Sequence, residues 1–262
     1  MTYTHGHPEN VLRSYGRRTA ENSAAYLLPH VQPGMDLLDV GCGPGSITIE
    51  LASLVAPGRT VGIDSATAAI DAAKAAPGAT AVDFRVADLM SGDLATGSFD
   101  VVHAHQVLQH VPDPVVALQQ MARLCRPGGI IAARDADYAA MTWFPDSARL
   151  DEWQQLYRDV ARANGGEPDA GRRLVDWAQR AGLTPQASAS VWCYASDEER
   201  QWWGGLWAER VARPPFAERA SELGLATQSD LDALADGWRE WMAAPNGWFI
   251  VPHGEIVCRN ER

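Results

Sequence analysis

Between residues 36 and 135, short apolar runs alternate with stretches in which apolar residues recur every three or four positions. Leu37-Leu38-Asp39-Val40 leads into a helical pattern at about 45–55, and Thr60-Val61-Gly62-Ile63 into another at about 66–76. Strand-like runs at 82–86 and 99–102 follow, then a helical pattern at about 114–125 and a run at 129–133. Short buried strands separated by helices predict right-handed crossovers and a parallel sheet covered on both faces.

After Asp135 the texture changes. Helical patterns lie at about 147–163 and 170–181, the second stopping at Gly182, and a β-like stretch covers 187–194. Ser196 with Glu199 three residues on reads as a capping box opening a helix to about 212. A helix near 228–242 carries Leu231, Leu234, Trp238 and Trp241 on one face, and a strand-like segment begins at Trp248. The two later strands bring the expected sheet to seven: an α/β, doubly wound, mostly parallel sheet with a helical cap. All ten tryptophans fall in this second part, so the cap is Trp-rich. Residues 1–18 are polar and precede a helical pattern at 19–28. The chain thus divides into an arm and helix at 1–30, a core at 31–136 and a cap with the last strands at 137–262.

With 46% hydrophobic and 21% charged residues among 262, the chain has enough apolar content for one large core. Its net charge is −11 and its basic residues are scattered, which argues against nucleic acid or an anionic membrane surface as partner. Cys42, Cys125, Cys193 and Cys258 lie far apart without a CxxC pair, and no signal-peptide pattern opens the chain. Reduced thiols and a cytoplasmic location are expected. No apolar run approaches the roughly 20 residues that cross a bilayer.

The candidate chemistry begins at Asp39-Val40-Gly41-Cys42-Gly43-Pro44-Gly45-Ser46, a buried strand entering glycines and then a helix. Glycines at 41, 43 and 45 permit a tight turn and a close approach of ligand to backbone. A nicotinamide fingerprint would place glycine or alanine where this chain has Ser46, and would aim the helix at a pyrophosphate. Asp39, just before the loop, instead favours a cationic ligand group. Asp64 closes the second strand, where an acid can accept ribose hydroxyls, and Asp88 follows the third, within reach of an adenine amino group. A ligand with adenine, ribose and an ammonium-bearing tail satisfies all three acids. Each has a plainer alternative: Asp64 as a helix cap, Asp39 as a partner of loop amides, Asp88 as the cap of a turn.

These residues resemble the class I S-adenosylmethionine-dependent methyltransferases. The likeness rests on the glycine loop, Gly62-Ile63-Asp64, Ala87-Asp88, Phe99-Asp100-Val101-Val102 and Arg126-Pro127-Gly128-Gly129, in the family's order and spacing. Gln106-Val107-Leu108-Gln109-His110-Val111-Pro112-Asp113-Pro114 is similar to the ubiquinone/menaquinone C-methyltransferase-like branch, which includes many natural-product enzymes. The resemblance implies a Rossmann-like methyltransferase fold. It also implies S-adenosyl-L-methionine as cofactor, S-adenosyl-L-homocysteine as product, and a cofactor site formed by Asp39, Gly41, Cys42, Gly43, Gly45, Asp64, Ser65, Ala87, Asp88, Leu89, His105 and Gln106.

His103 and His105 alternate onto one strand face and His110 follows. No acid stands after the fourth strand where the metal-dependent relatives carry one, so no metal is expected. His110, past the end of that strand, is a candidate proton acceptor, paired in similar enzymes with an acid after the fifth strand; Asp135 and Asp137 stand there. Tyr15 is a further catalytic candidate, since in similar enzymes the N-terminal arm folds over the methionine end of the cofactor. Tyr138, Trp143, Trp192 and Trp203 are the expected acceptor-binding residues, in a pocket with flat apolar walls and few charges. The reading is a metal-free methyltransferase acting on a small, planar aromatic or heteroaromatic acceptor, with C-methylation of an indole-containing natural product first. A quinone precursor, or O- or N-methylation of a secondary metabolite, comes second, and a cofactor-binding protein without turnover is the non-enzymatic alternative. A homodimer is left open.

Overall fold

The apolar runs become strands in a computed structural model of the chain, which describes residues 17–92 and 94–261. An N-terminal segment carries one short helix, α1 (Ala20–Ser23). The elements β1 (Leu37–Val40), α2 (Ser46–Val55), β2 (Thr60–Asp64), α3 (Thr67–Ala75), β3 (Asp83–Val86), β4 (Phe99–His105), α4 (Pro114–Leu124) and β5 (Cys125–Ala136) then alternate. The second half adds β6 (Thr142–Phe144), α5 (Ala148–Ala163), α6 (Leu174–Arg180), β7 (Pro185–Tyr194), α7 (Asp197–Ala212), α8 (Phe216–Glu222), α9 (Gln228–Ala243) and β8 (Trp248–Arg259).

The first five strands are parallel in the order β3-β2-β1-β4-β5, and the order reverses at β1. β8 runs antiparallel beside β5, and β7 antiparallel on the far side of β8. The sheet has eight strands rather than seven. The addition is β6, three residues paired to Trp248–Ile250 of β8 beyond the point where β5 stops pairing. Three residues are too few for alternation to register as a strand.

One face of the sheet is filled by α4, α6 and aliphatic strand residues such as Val40, Ile63, Val102 and Ile131. The other is covered by α2 and the N-terminal segment, with Ala20, Ala24 and Leu27 packed against Leu37, Val101 and Ala132. The helix expected at 19–28 is only the four residues of α1, because docking holds this segment rather than helix length. Glu50 on α2 accepts from the Ala20 amide at 2.6 Å, and the Trp192 indole donates to the Asn22 carbonyl at 2.8 Å. Caps account for the sharp helix starts: Asp113 accepts from Val116 N–H ahead of Pro114, and Ser196 with Glu199 forms the expected reciprocal box on α7.

The cap has its own core. Trp153, Trp207 and Trp238 are fully buried, and Trp153 meets each of the other two edge to face at 4.6 Å between centroids. Phe249 of β8 and Tyr157 complete the cluster, so most of the tryptophans are packing residues.

Candidate active site

The carboxyl ends of β1, β2, β3 and β4 surround a cavity of about 390 Å³, within the range of small-molecule sites. Its floor is the glycine loop. Gly41 has φ +66°, and a Cβ there would lie 2.4 Å from Val107 Cγ2, so both conformation and space require glycine. All of the expected cofactor residues except Gly45 line this cavity. Gly45 serves packing: it also lies at positive φ, and a Cβ would meet Phe84 of β3 at 2.6 Å.

The three acids differ in their commitments. Asp64 accepts from the amides of Gly43 at 3.0 Å and Ala66 at 2.9 Å, fixing the loop against the start of α3. Asp39 is buried, bonded to His103 Nδ1 at 2.8 Å and to the Thr48 hydroxyl at 2.5 Å, while still lining the cavity. Asp88 accepts from Met90 N–H at 2.9 Å and caps the turn Leu89–Ser91. Cap and cavity wall are therefore compatible for Asp88, whereas the cap position of α3 is Ala66 and Asp64 bonds loop amides while lining the cavity. Among the described residues, three carboxylates and one guanidinium, Arg18, line the space. That balance suits a cationic ligand and disfavours a pyrophosphate.

A second cavity, of about 580 Å³, lies between the N-terminal segment, β7 and α7. Tyr138, Trp192 and Trp203 line it as expected, joined by Tyr194 and Trp202. Trp143 does not. It stacks on Phe249 at 5.5 Å and belongs to the cap core. The expectation of few charges is also corrected, because Arg17, Arg18, Arg210 and Glu199 contribute to the walls.

The two cavities share Gln106 and Arg18. Gln106 follows β4 at φ +55°, a left-handed conformation that costs a non-glycine residue energy and that clusters at functional sites. Its amide N–H donates to the Arg134 carbonyl at 2.7 Å, while its side chain accepts from Arg18 at 3.0 Å and contacts His253 Nε2 at 2.9 Å. Arg17 pairs with Glu198 and lies over the Trp202 ring, so the segment straps across the mouth of the second cavity.

The histidines serve separate ends. His103 is bonded to Asp39, and His105 packs beside the Trp192 and His253 rings, held well below the usual imidazole pKa by burial and then by Arg18 and Arg134. Among the described residues no group of three or more His, Cys, Asp or Glu is placed to hold a metal ion. His110 ends the turn Leu108–His110 and lines the first cavity, with Gln109 Nε2 3.1 Å from its Nε2. Tyr15 lies outside the described residues.

Asp135 lies within β5 rather than after it, Asp137 directly follows the strand, and both are engaged elsewhere than expected. Asp137 accepts two bonds from the Arg172 guanidinium, at 2.5 and 2.7 Å, and caps the turn Tyr138–Ala140. Asp135, fully buried, accepts from the Gln109 amide at 3.0 Å and so holds the turn that carries His110 rather than the ring itself. Neither lines either of these two cavities. Gln109, which periodicity could not flag, is the side chain against the imidazole.

Burial pushes Asp135 up to about 7, against the lowering effect of its amide donors. The native state therefore holds this proton where the unfolded chain has released it, and stability falls as pH rises from about 4 to 7. Asp135→Asn keeps the acceptor for Gln109 without the charge. It is expected to raise the melting temperature by several degrees at pH 8 and little at pH 4, in thermal denaturation followed by circular dichroism. An equal shift at both values would show that burial is not what perturbs the group.

A glycine loop walled by three acids, next to an aromatic chamber that shares Gln106 with it, is the layout of an α/β enzyme with room for two ligands. Comparison with known proteins makes this specific. Residues 31–201 match the family model described as a methyltransferase domain. An uncharacterised methyltransferase of Schizosaccharomyces pombe is 31% identical, over 100% of this chain and 97% of that protein. The "probable methyltransferase ltbC" of Aspergillus luteorubrus is 27% identical over 98% and 96% of the two chains. The solved structure of the YcgJ protein from Bacillus subtilis shares the fold, with a TM-score of 0.58 at 18% identity, over 92% of this chain and 99% of that one. The chain belongs to the methyltransferase domain family and is an S-adenosylmethionine-dependent methyltransferase. The three acids and the close-approach glycine at 41 fit that cofactor, whose charged groups are cationic sulfonium and ammonium beside one carboxylate.

Proposed function

We propose that the enzyme methylates a small aromatic or heteroaromatic acceptor, an indole-containing natural product in first place, at carbon. The observation that carries this reading is the junction at Gln106, where a chamber walled by Tyr138, Trp192, Trp202 and Trp203 opens onto the cofactor cavity. Flat π faces suit a planar acceptor better than a sugar or an aliphatic amine.

When bound, S-adenosylmethionine supplies an electrophilic methyl group. The chain's own residues then align and shield. In this reading Asp64 accepts the ribose hydroxyls, Asp88 faces the adenine amino group, and Asp39 sets a negative field beneath the loop. Gln106 and Arg18 define the passage, and the N-terminal strap excludes water. His110 takes up the acceptor's proton where one must leave. With Nε2 accepting from the Gln109 amide, the resting ring carries its hydrogen on Nδ1, so uptake at Nε2 requires that amide to give way.

An acceptor screen with radiolabelled methyl donor tests the reading. Indolic, phenolic and quinone-like compounds are expected to accept label, indoles best. Label transferred only to aliphatic amines or nucleic acid would show that the tryptophan wall is packing and nothing more.

A further inference from the structure

We infer that the acceptor carries a carboxylate and that Arg210 anchors it; this rests on the aromatic-acceptor reading of the same cavity. Arg210 stands on α7 at the wall of the acceptor cavity and is 9% exposed. One face of its guanidinium is covered by the Trp207 ring, 4.6 Å from Cζ to centroid. Its Nε is buried with no hydrogen-bond partner, and the side chain makes no ion pair with another described residue. Neighbouring arginines on the cap are paired: Arg200 with Asp197, Arg213 with Glu209 and Arg219 with Glu222.

Among the described residues the cavity offers Arg210 no counter-ion. Glu199, the carboxylate in the wall, is occupied by the amides of Ala195 and Ser196 and by the Ser196 hydroxyl, at 2.8 to 3.1 Å. These bonds hold it below the usual carboxylate range and tie it to the start of α7. A buried guanidinium without a carboxylate is costly to keep, and stacking on an indole offsets only part of that cost. What remains unsatisfied is Nε, on the in-plane edge of the fork, and the geometric match of that edge is a planar oxyanion. Tyr194 stacked on Trp203 at 4.5 Å supplies the flat apolar floor beside it. An aromatic ring on that floor with a carboxylate at its rim matches both surfaces. The ligand class is an aromatic carboxylic acid, and Arg210 selects it against the neutral or amine analogue.

The test is calorimetric titration of the full chain, saturated with S-adenosylhomocysteine, with indole-3-acetate, its methyl ester and tryptamine. The acid is expected to bind at least tenfold more tightly than either analogue. Arg210→Gln is expected to bring the acid to the affinity of the ester and leave the ester unchanged, with Arg210→Lys in between. Without ligand, Arg210→Gln should melt at or above the wild-type temperature, since it removes an uncompensated buried charge. Equal binding of acid and ester by the wild type, binding of none of the three, or an equal loss of both in Arg210→Gln would overturn the assignment. Should the glutamine variant fail to fold, the wild-type comparison of acid with ester decides alone. Acid-selective binding that depends on Arg210 but leads to no methyl transfer onto any aromatic would uphold the anchor and remove the proposed activity. Transfer to neutral aromatics, with the acid no better bound, would remove the anchor alone.

Discussion

His110→Ala is expected to lower turnover by about 10²–10⁴-fold, with a much smaller loss of affinity for S-adenosylhomocysteine, since the ring also lines the cofactor cavity. The imidazole is the titratable ring on the turn after β4, at the end of the sheet where ligands bind. The turn is held from below by Asp135 through the Gln109 backbone, so truncating the ring leaves the loop in place. Steady-state kinetics with the best acceptor of the screen measure the effect. A change confined to the acceptor KM would make His110 a positioning residue. Unchanged turnover would mean that alignment alone suffices.

Trp153→Ala is expected to cost about 3–5 kcal/mol of stability, the range for deleting a large buried aromatic. Trp153 is fully buried on α5 and touches Trp207 and Trp238 edge to face, so its loss opens a cavity where three helices meet. Trp202, half-buried at the acceptor wall, is the contrast: Trp202→Ala should cost under about 1 kcal/mol and weaken acceptor binding instead. Urea denaturation reads both. A cost at Trp202 as large as at Trp153 would show that the acceptor wall is part of the cap core.

That contrast also marks the limit of what could be read from residues alone. The glycine loop and its acids were legible because their signal is local: a strand, a turn demanding positive φ, and carboxylates at successive strand ends. The packing role of Gly45 was not legible, because its reason lies 39 residues on, in the Phe84 ring packed against it. Trp143 and Trp202 could not be sorted, since β6 is too short to show a face and α7 is aromatic on several sides. Asp137 does follow β5, but β5 runs on past Asp135 through its pairing with β8, and the partners that decide the roles of the two aspartates, Gln109 and Arg172, come from other segments. Arg210 carries a local signal. It continues the stripe of Trp203, Leu206 and Trp207 at helical spacing, so a charge falls on an apolar face, and buried positions seldom hold an unpaired arginine without a ligand in view.

The central claim, that the loop and its three acids form a metal-free site for S-adenosylmethionine, is tested most directly by isothermal calorimetry with S-adenosylhomocysteine in the presence of a chelator. The account predicts one site per chain, no detectable binding of NAD, and affinity reduced about 10- to 100-fold in Asp64→Ala through the loss of charge-assisted bonds to the ribose. Equal affinity in wild type and Asp64→Ala, binding that disappears with the chelator, or preference for NAD would contradict it.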